Sequence, residues 1–242
     1  MSHPHVSIDL EKIERNARAI VGLCARHGIE VIGVTKCTCG HPEVARAMLA
    51  GGVSAIGESR LENLQRLGAA GVRTPCWLLR IPPLSEVDDV VALADVSLNS
   101  ELAVLERLSQ AALRRGLVHA VVLMVDLGDL REGIWPDDLL AFARDAAKLA
   151  GVRIIGLGTN LACFGGVAPS EENMRRLVAL ARQIEPVFGV RLRLISGANS
   201  SGLELIASGR MPKEINHARI GEAILLGRET LHRRAWPGTA QD

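Results

Sequence analysis

The chain has 242 residues, of which 48% are hydrophobic and 23% charged, and its formal net charge at pH 7 is +1. This length suits one large α/β barrel or two small domains, and the small net charge disfavours binding to nucleic acid or to an anionic membrane surface. No apolar run approaches the roughly 20 residues that a membrane-spanning helix needs. The first five residues lack the basic and apolar regions of a signal peptide.

The cysteines predict reduced thiols, and therefore a cytoplasmic protein. Their number is odd and they are scattered, at Cys24, Cys37, Cys39, Cys76 and Cys163, which does not fit a disulfide framework. Cys37 and Cys39 do not have the spacing of zinc ligands, and no second Cys or His pair accompanies them. We therefore expect no metal site.

A helix and then alternating strands and helices are predicted along the chain. Residues 9–25 carry apolar positions at helical spacing, with Asp9 as N-cap and Gly28 as the stop. A first apolar strand ends at Lys36, and Pro42 begins a short helix. Seven further strands are predicted over residues 53–57, 75–79, 96–98, 120–125, 153–157, 191–195 and 215–220.

Helices are predicted between these strands. The pattern Ser59–Glu62 has the form of a capping box, and Ser100 is the expected cap of a helix over residues 101–114. The other helices are expected over residues 85–94, 137–149 and 170–184, with two short ones ending near 209 and following 221.

Eight strands that alternate with helical segments indicate an α/β fold, a (β/α)8 TIM-type barrel with an extra N-terminal helix. Residues 1–242 would form this single domain. An open doubly wound sheet is the competing topology, and it needs a Gly-rich turn after its first strand. Residues 36–40 stand there instead, and they begin with a lysine.

Lys36 is a candidate catalytic residue because it ends a buried strand. An ammonium is rarely placed at such a position without a partner, since its burial costs free energy. A partly desolvated lysine has a lowered pKa, and its amine can form a Schiff base with an aldehyde. The competing interpretation is a lysine that reaches solvent through its long stem.

The predicted ends of strands 7 and 8 carry small and hydroxyl residues. Residues 196–202 read Ser-Gly-Ala-Asn-Ser-Ser-Gly, and Gly221 follows the last strand. Barrels frequently bind phosphate with these two loops and a helix N-terminus. A phosphate site that faces a strand-end lysine suggests a phosphate-bearing aldehyde, pyridoxal 5'-phosphate.

The sequence resembles the alanine racemase superfamily, the fold-type III pyridoxal phosphate enzymes, and most closely its ornithine/alanine racemase-like branch. The motifs that carry the resemblance span the chain in family order. They are residues 33–36 (GVTK), 58–63 (ESRLEN), 124–133 (MVDLGDLREG), 158–163 (GTNLAC), 196–201 (SGANSS) and 216–223 (NHARIGEA).

By this resemblance, Lys36 is the Schiff-base lysine and Arg131 lies near the substrate carboxylate, which makes these two the catalytic residues. Arg219 faces the pyridine nitrogen, and Asn160 stands where related racemases carry a histidine against the ring. The phosphate is held by a group in the last two loops, namely Asn199, Ser200, Ser201 and the backbone N–H groups of Gly221 and Glu222.

Residue chemistry agrees with these roles. A permanently protonated arginine keeps the pyridine nitrogen unprotonated, which makes the ring a weaker electron sink, and a guanidinium binds a carboxylate bidentately. The alternatives are an internal salt bridge for Arg219, a solvated loop position for Arg131 and a local backbone hydrogen bond for Asn160. For Glu58 and Arg60 an ion pair at the barrel rim is the favoured interpretation.

The chain departs from this family at its C-terminus. Racemases of the group carry a β-rich second domain after the barrel, and in alanine racemases a tyrosine of that domain in the partner subunit is the second base. This chain stops at Asp242 and has no tyrosine. Candidate replacements for the second base are Cys37, Cys163, His41 and His217. The resemblance also leaves room for a homodimer.

The sequence thus predicts a pyridoxal-phosphate-dependent amino-acid racemase, with alanine, ornithine or a related basic amino acid as substrate, impaired without the second domain. The first alternative is a single-domain pyridoxal phosphate carrier or homeostasis protein without turnover. The second is an aldolase of the same fold type, which would need a metal bound outside this chain.

Overall fold

The computed structural model describes residues 6–162 and 166–241. Within these residues, eight parallel strands pair in chain order, and the eighth pairs with the first to close a barrel. The predicted (β/α)8 fold is confirmed. The strands are β1 (Glu30–Val34), β2 (Ile56–Glu58), β3 (Cys76–Leu78), β4 (Val96–Asn99), β5 (His119–Met124), β6 (Val152–Gly158), β7 (Leu194–Ala198) and β8 (His217–Ile220).

Helices surround the barrel, and the extra N-terminal helix is present as α1 (Leu10–Ala25). The others are α2 (Pro42–Ala50), α3 (Leu61–Ala69), α4 (Val87–Leu93), α5 (Leu102–Arg114), α6 (Leu139–Ala146), α7 (Glu171–Phe188), α8 (Leu203–Ala207) and α9 (Glu222–Leu226). No helix in the described ranges has the length and apolar content to cross a membrane.

Helix caps show where local sequence signals suffice. The Asp9 side chain accepts a hydrogen bond from Lys12 N at 3.0 Å, as predicted. Ser170 and Asn173 form a reciprocal capping box at the start of α7. The predicted caps of α3 and α5 are wrong, because those helices have Arg60 and Glu101 at the N-cap and neither side chain makes a capping hydrogen bond.

Strand β7 differs most from its prediction, since it covers Leu194–Ala198 instead of 191–195. Its last residues are small and weakly hydrophobic, so hydropathy does not reveal them. Backbone pairing with β6 and β8 places them in the sheet nonetheless, and the register with β8 shifts between Ser196 and Ala198. Such an irregularity re-aims side chains and is common beside active sites.

The core has two layers. Apolar residues inside the barrel include Ile32, Trp77, Val122 and Met124, and a larger cluster lies between the strands and the helices. This packing is typical of a barrel whose interior is filled by side chains.

Candidate active site

A cavity of about 280 Å³ opens at the C-terminal ends of the strands. In β/α barrels this face carries the active site. The nine residues that the resemblance assigns to catalysis and cofactor binding all line this cavity, namely Lys36, Arg131, Asn160, Asn199, Ser200, Ser201, Arg219, Gly221 and Glu222. The fold therefore brings together residues that are up to 186 positions apart in the chain (Lys36 to Glu222).

Lys36 begins the single 3-10 turn (Lys36–Thr38) that follows β1. It is an exposed residue and lines the cavity. The preceding Thr35 is fully buried, and its hydroxyl donates to Glu58 Oε1 at 2.7 Å. The backbone from which Lys36 projects is thus tied to strand β2.

Glu58 does not form the predicted rim ion pair with Arg60. It is fully buried, and its carboxylate accepts hydrogen bonds from the Thr35 hydroxyl, from Ser59 N at 3.0 Å and from Asn63 Nδ2 at 2.9 Å. A buried carboxylate needs several donors, and these donors join β1, β2 and α3 beneath Lys36. The ion-pair prediction failed because the chain turns the side chain of Glu58 inward, away from the rim.

The loop after β7 is held by its own side chains. The Asn199 side chain accepts from Ser201 N at 2.9 Å and donates to Leu161 O at 2.8 Å. The Ser200 hydroxyl accepts a hydrogen bond from Ala223 N at 3.1 Å. This last contact joins the β7 loop to the first turn of α9, so the two predicted halves of the phosphate site are in contact.

Gly221 lies where β8 turns into α9, close to the end of β1. A Cβ atom at this position would lie 2.9 Å from Val34 O and 3.1 Å from Val34 Cβ, so a larger residue would push this turn away from the lysine strand. The next residue, Glu222, pairs with Arg233 and accepts a hydrogen bond from the Thr230 hydroxyl at 3.3 Å.

Arg219 is 5% exposed and donates from both Nη nitrogens. Nη1 binds Ser196 O at 3.0 Å and the Ser196 hydroxyl, and Nη2 binds Thr159 O at 2.6 Å and Asn160 Oδ1 at 2.8 Å. These four acceptors are neutral carbonyl and hydroxyl oxygens. They fix the plane of the guanidinium at the wall of the cavity.

Asn160 connects Arg219 to a residue that sequence reasoning missed. Its Nδ2 donates to Glu132 Oε1 at 2.7 Å, and the same oxygen lies 3.5 Å from Arg131 Nη2. A polar chain thus runs Arg219, Asn160, Glu132, Arg131 along one wall. Glu132 lies in the motif 124–133, but only its distance to Asn160 in space reveals its role.

The candidate replacements for the second base differ in their access to the cavity. Cys37 is exposed and lines the cavity next to Lys36. His217 is fully buried and His41 is exposed, and neither lines the cavity. Cys163 lies outside the described residues.

Within residues 6–162 and 166–241 the fold also assembles one group of possible metal ligands that the sequence did not reveal. Glu204, Glu229 and His232 have ligand atoms within 4.8 Å of one another. Glu229 is 3% exposed, and its carboxylate accepts hydrogen bonds from His232 N at 2.9 Å and Arg234 N at 3.0 Å. Burial acts to raise the pKa of Glu229, but the backbone donors outweigh it and the pKa is lowered. The same hydrogen bonds satisfy the buried carboxylate, which anchors the turn.

The chain is similar to known proteins over most of its length. The sequence profile described as "Alanine racemase, N-terminal domain" matches residues 8–229. The chain is 40% identical to the ornithine racemase of Acetoanaerobium sticklandii over 231 residues and 36% identical to the lysine racemase of Thermotoga maritima over 234 residues. These matches cover 95% and 97% of this chain, but only 65% of the length of each relative.

Solved structures share the fold. The alanine racemase of Streptomyces lavendulae superposes with a TM-score of 0.77 at 22% identity, over 90% of this chain and 57% of that one. A protein of unknown function from Bifidobacterium adolescentis superposes with a TM-score of 0.75 at 19% identity, over 91% of this chain and 98% of that one. The same barrel therefore also occurs in a chain of similar length. The profile match and the two relatives at 40% and 36% identity show that this chain belongs to the family of the alanine racemase N-terminal domain.

Proposed function

We propose that the chain is the pyridoxal-phosphate-binding barrel of an amino-acid racemase, with a basic amino acid such as ornithine or lysine as substrate. The observation that carries this proposal is the convergence of all nine predicted site residues on one cavity at the C-terminal end of the barrel. The relatives named as ornithine and lysine racemases support the substrate class. They also favour a racemase over a carrier without turnover.

The donors around the cavity fit pyridoxal phosphate. Lys36 offers an exposed amine for the aldehyde. Ser200 contacts the first turn of α9 and Ser201 lines the same cavity, where hydroxyl and backbone N–H groups suit a phosphate. Arg219 would hold the ring nitrogen unprotonated, because a guanidinium donates hydrogen bonds and accepts none. When bound, the cofactor supplies the electron sink that makes the α-proton of an amino acid acidic.

The remaining groups would orient the substrate and move its proton. Arg131 would bind the α-carboxylate, and Glu132 beside it limits the directions in which the guanidinium can point. The amine of Lys36 would take the α-proton from one face and return it there. Among the candidates within the described residues, Cys37 has access to the cavity for a second proton transfer.

Borohydride trapping tests the assignment of Lys36. Reduction of the protein mixed with pyridoxal phosphate should leave a permanent label, which peptide mass spectrometry should locate on Lys36. Lys36→Ala should abolish the label and the visible absorbance band. The matched control is Lys148→Ala, which removes an exposed lysine paired with Asp145 on α6 and should leave both unchanged. A label that persists in Lys36→Ala would contradict the proposal.

A further inference from the structure

His217 is a buried histidine that none of the proposed steps uses. It is fully buried on β8, with its Nδ1 atom 2.7 Å from the Ser196 hydroxyl oxygen and its ring stacked on Trp77 at a centroid distance of 4.7 Å. Burial of an imidazole and a hydroxyl in an apolar barrel interior costs free energy unless the two are paired. Apolar side chains would fill these two positions without that cost, so the pair points to a role other than packing.

Strand pairing connects His217 to the cavity. Ser196 on β7 is the register partner of His217 on β8. Arg219 follows His217 by two residues on the same strand, so both side chains point to the same face of the sheet. Because Arg219 Nη1 donates to the Ser196 hydroxyl, the three side chains form a continuous chain from the barrel interior to the cavity wall.

The directions of the protons in this chain follow from the groups involved. A guanidinium can only donate, so the Ser196 oxygen accepts from Arg219. The hydroxyl proton of Ser196 is then directed to His217 Nδ1, which must be unprotonated. The remaining ring proton is on Nε2, an atom without a hydrogen-bond partner among the described residues. The opposite tautomer would leave two groups unpaired, the Nε2 atom and the buried Ser196 hydroxyl proton.

The neutral state of the ring is consistent with its surroundings. Burial lowers the pKa of His217 to about 3, and the positive charges of Arg219 and Arg193 act in the same direction. A protonated ring would donate from Nδ1 and would place a second cation beside Arg219. The neutral ring instead remains a hydrogen-bond acceptor near pH 7.

We infer that His217 is a positioning residue, which orients the Ser196 hydroxyl so that its lone pair faces Arg219 and fixes the guanidinium at the cavity. The buried Nε2–H, which has no partner in the described part of the chain, is the cost of this arrangement. The role of Arg219 toward the cofactor rests on the proposed function, whereas the orientation of the hydroxyl does not.

The first test is independent of the cofactor. Long-range ¹H–¹⁵N NMR spectra of the labelled protein at pH 7 should show one histidine in the neutral Nε2–H form that is absent from the His217→Asn spectrum. An Nδ1–H tautomer or a charged ring for His217 would overturn the inference. This outcome would stand whether or not the protein binds pyridoxal phosphate.

The second test uses two matched variants. His217→Asn keeps an acceptor near the Nδ1 position and loses the ring, whereas His217→Phe keeps the ring on Trp77 and loses the acceptor. If His217 acts through its hydrogen bond, His217→Phe should weaken pyridoxal phosphate binding about tenfold, the equivalent of one hydrogen bond. His217→Asn should bind almost as well as the native chain.

Ser196→Ala completes the second test. It should weaken binding about as much as His217→Phe, and the double variant should be no worse than Ser196→Ala alone. Dissociation constants are measured below the unfolding temperature of every variant. Additive losses, or a larger loss in His217→Asn than in His217→Phe, would show that His217 acts only by packing. If the native chain fails to bind the cofactor, the proposed function fails, and the NMR result still decides the orientation of Ser196.

Discussion

Arg219 is the residue at which the polar contacts of the cavity converge. The sequence left two interpretations open for it, an internal salt bridge and a place opposite a ring nitrogen. Its Nη groups donate to two backbone carbonyls, a hydroxyl and an amide oxygen. The guanidinium is therefore part of the framework of β6, β7 and β8, and a substitution there will change stability as well as binding.

Replacement of Arg219 by Met should lower the free energy of unfolding by about 3 kcal/mol, because it removes these donors from the buried Ser196 O and Thr159 O and from the half-buried Asn160 Oδ1. Urea unfolding followed by circular dichroism measures the change. The matched control is Arg182→Met, which removes a mostly exposed partner of Glu214 and should cost less than about 1 kcal/mol. Equal losses in the two variants would show that the Arg219 contacts are not structural.

At the scale of elements, the loop after β5 determines where Arg131 lies. Asp126 Oδ1 accepts hydrogen bonds from Gly128 N at 2.7 Å and Leu130 N at 3.3 Å. Gly133 closes the loop with a φ of +135°, and an added Cβ would lie 2.4 Å from Asp126 N. The loop therefore needs a glycine at 133 for both its backbone conformation and its close approach to β5.

Gly133→Ala should destabilise the fold by about 3 kcal/mol, through strain at positive φ and a clash with backbone. It should also raise the KM for the amino acid more than it lowers kcat, since it displaces Arg131. Gly68→Ala is the control. Gly68 lies in α3, and a Cβ there meets nothing within 4 Å, so this change should stabilise by about 0.5–1 kcal/mol. An undisturbed KM in Gly133→Ala would argue against a role of this loop in substrate binding.

At the scale of the whole molecule, two buried histidines make the fold sensitive to acid. Burial lowers the pKa of His119 to about 4, although Asp95 acts in the opposite direction, and burial lowers that of His217 to about 3. In the unfolded chain both titrate near 6.5. Below pH 6.5 the unfolded state therefore binds protons that the folded state does not bind, and stability falls until the folded pKa values are reached.

The free energy of unfolding should fall by about 1.5 kcal/mol per histidine between pH 6.5 and pH 5. Chemical unfolding at a series of pH values measures this slope. His119→Asn should make the slope shallower, whereas His41→Asn, at an exposed position, should leave it as in the native chain. A native slope unaffected by His119→Asn would show that His119 is not the group responsible.

The chain as a whole carries Lys36 but no tyrosine, and this predicts an imbalance between proton exchange and racemisation. Loss of one positioned acid or base costs about 10²–10⁴-fold in rate. In deuterated water, α-deuterium should therefore enter one enantiomer of ornithine or alanine faster than configuration is lost. Chiral chromatography with mass detection follows both events. Equal rates from both enantiomers would reveal a second base, for which Cys37→Ser is the first variant to examine.

The sequence by itself determined the architecture and which of the assigned residues meet at one cavity. Apolar runs of strand length that alternate with helical periods leave few folds other than a closed α/β barrel. Closure then places the C-terminal end of every strand on one face, so residues identified as strand ends must meet there. For this reason Lys36, Ser200 and Arg219 could be assigned to one cavity before any distance was known.

Only the tertiary structure decided how these residues contact one another. The pairing of Asn160 with Glu132 and of Ser196 with His217 depends on strand register and on the irregularity in β7. Neither follows from spacing along the chain, because local sequence does not specify which way a side chain turns at a strand end. The same reason explains why Glu58 turned inward to Thr35 instead of pairing with Arg60, and why Cys37 reaches the cavity while His217 lies beneath it.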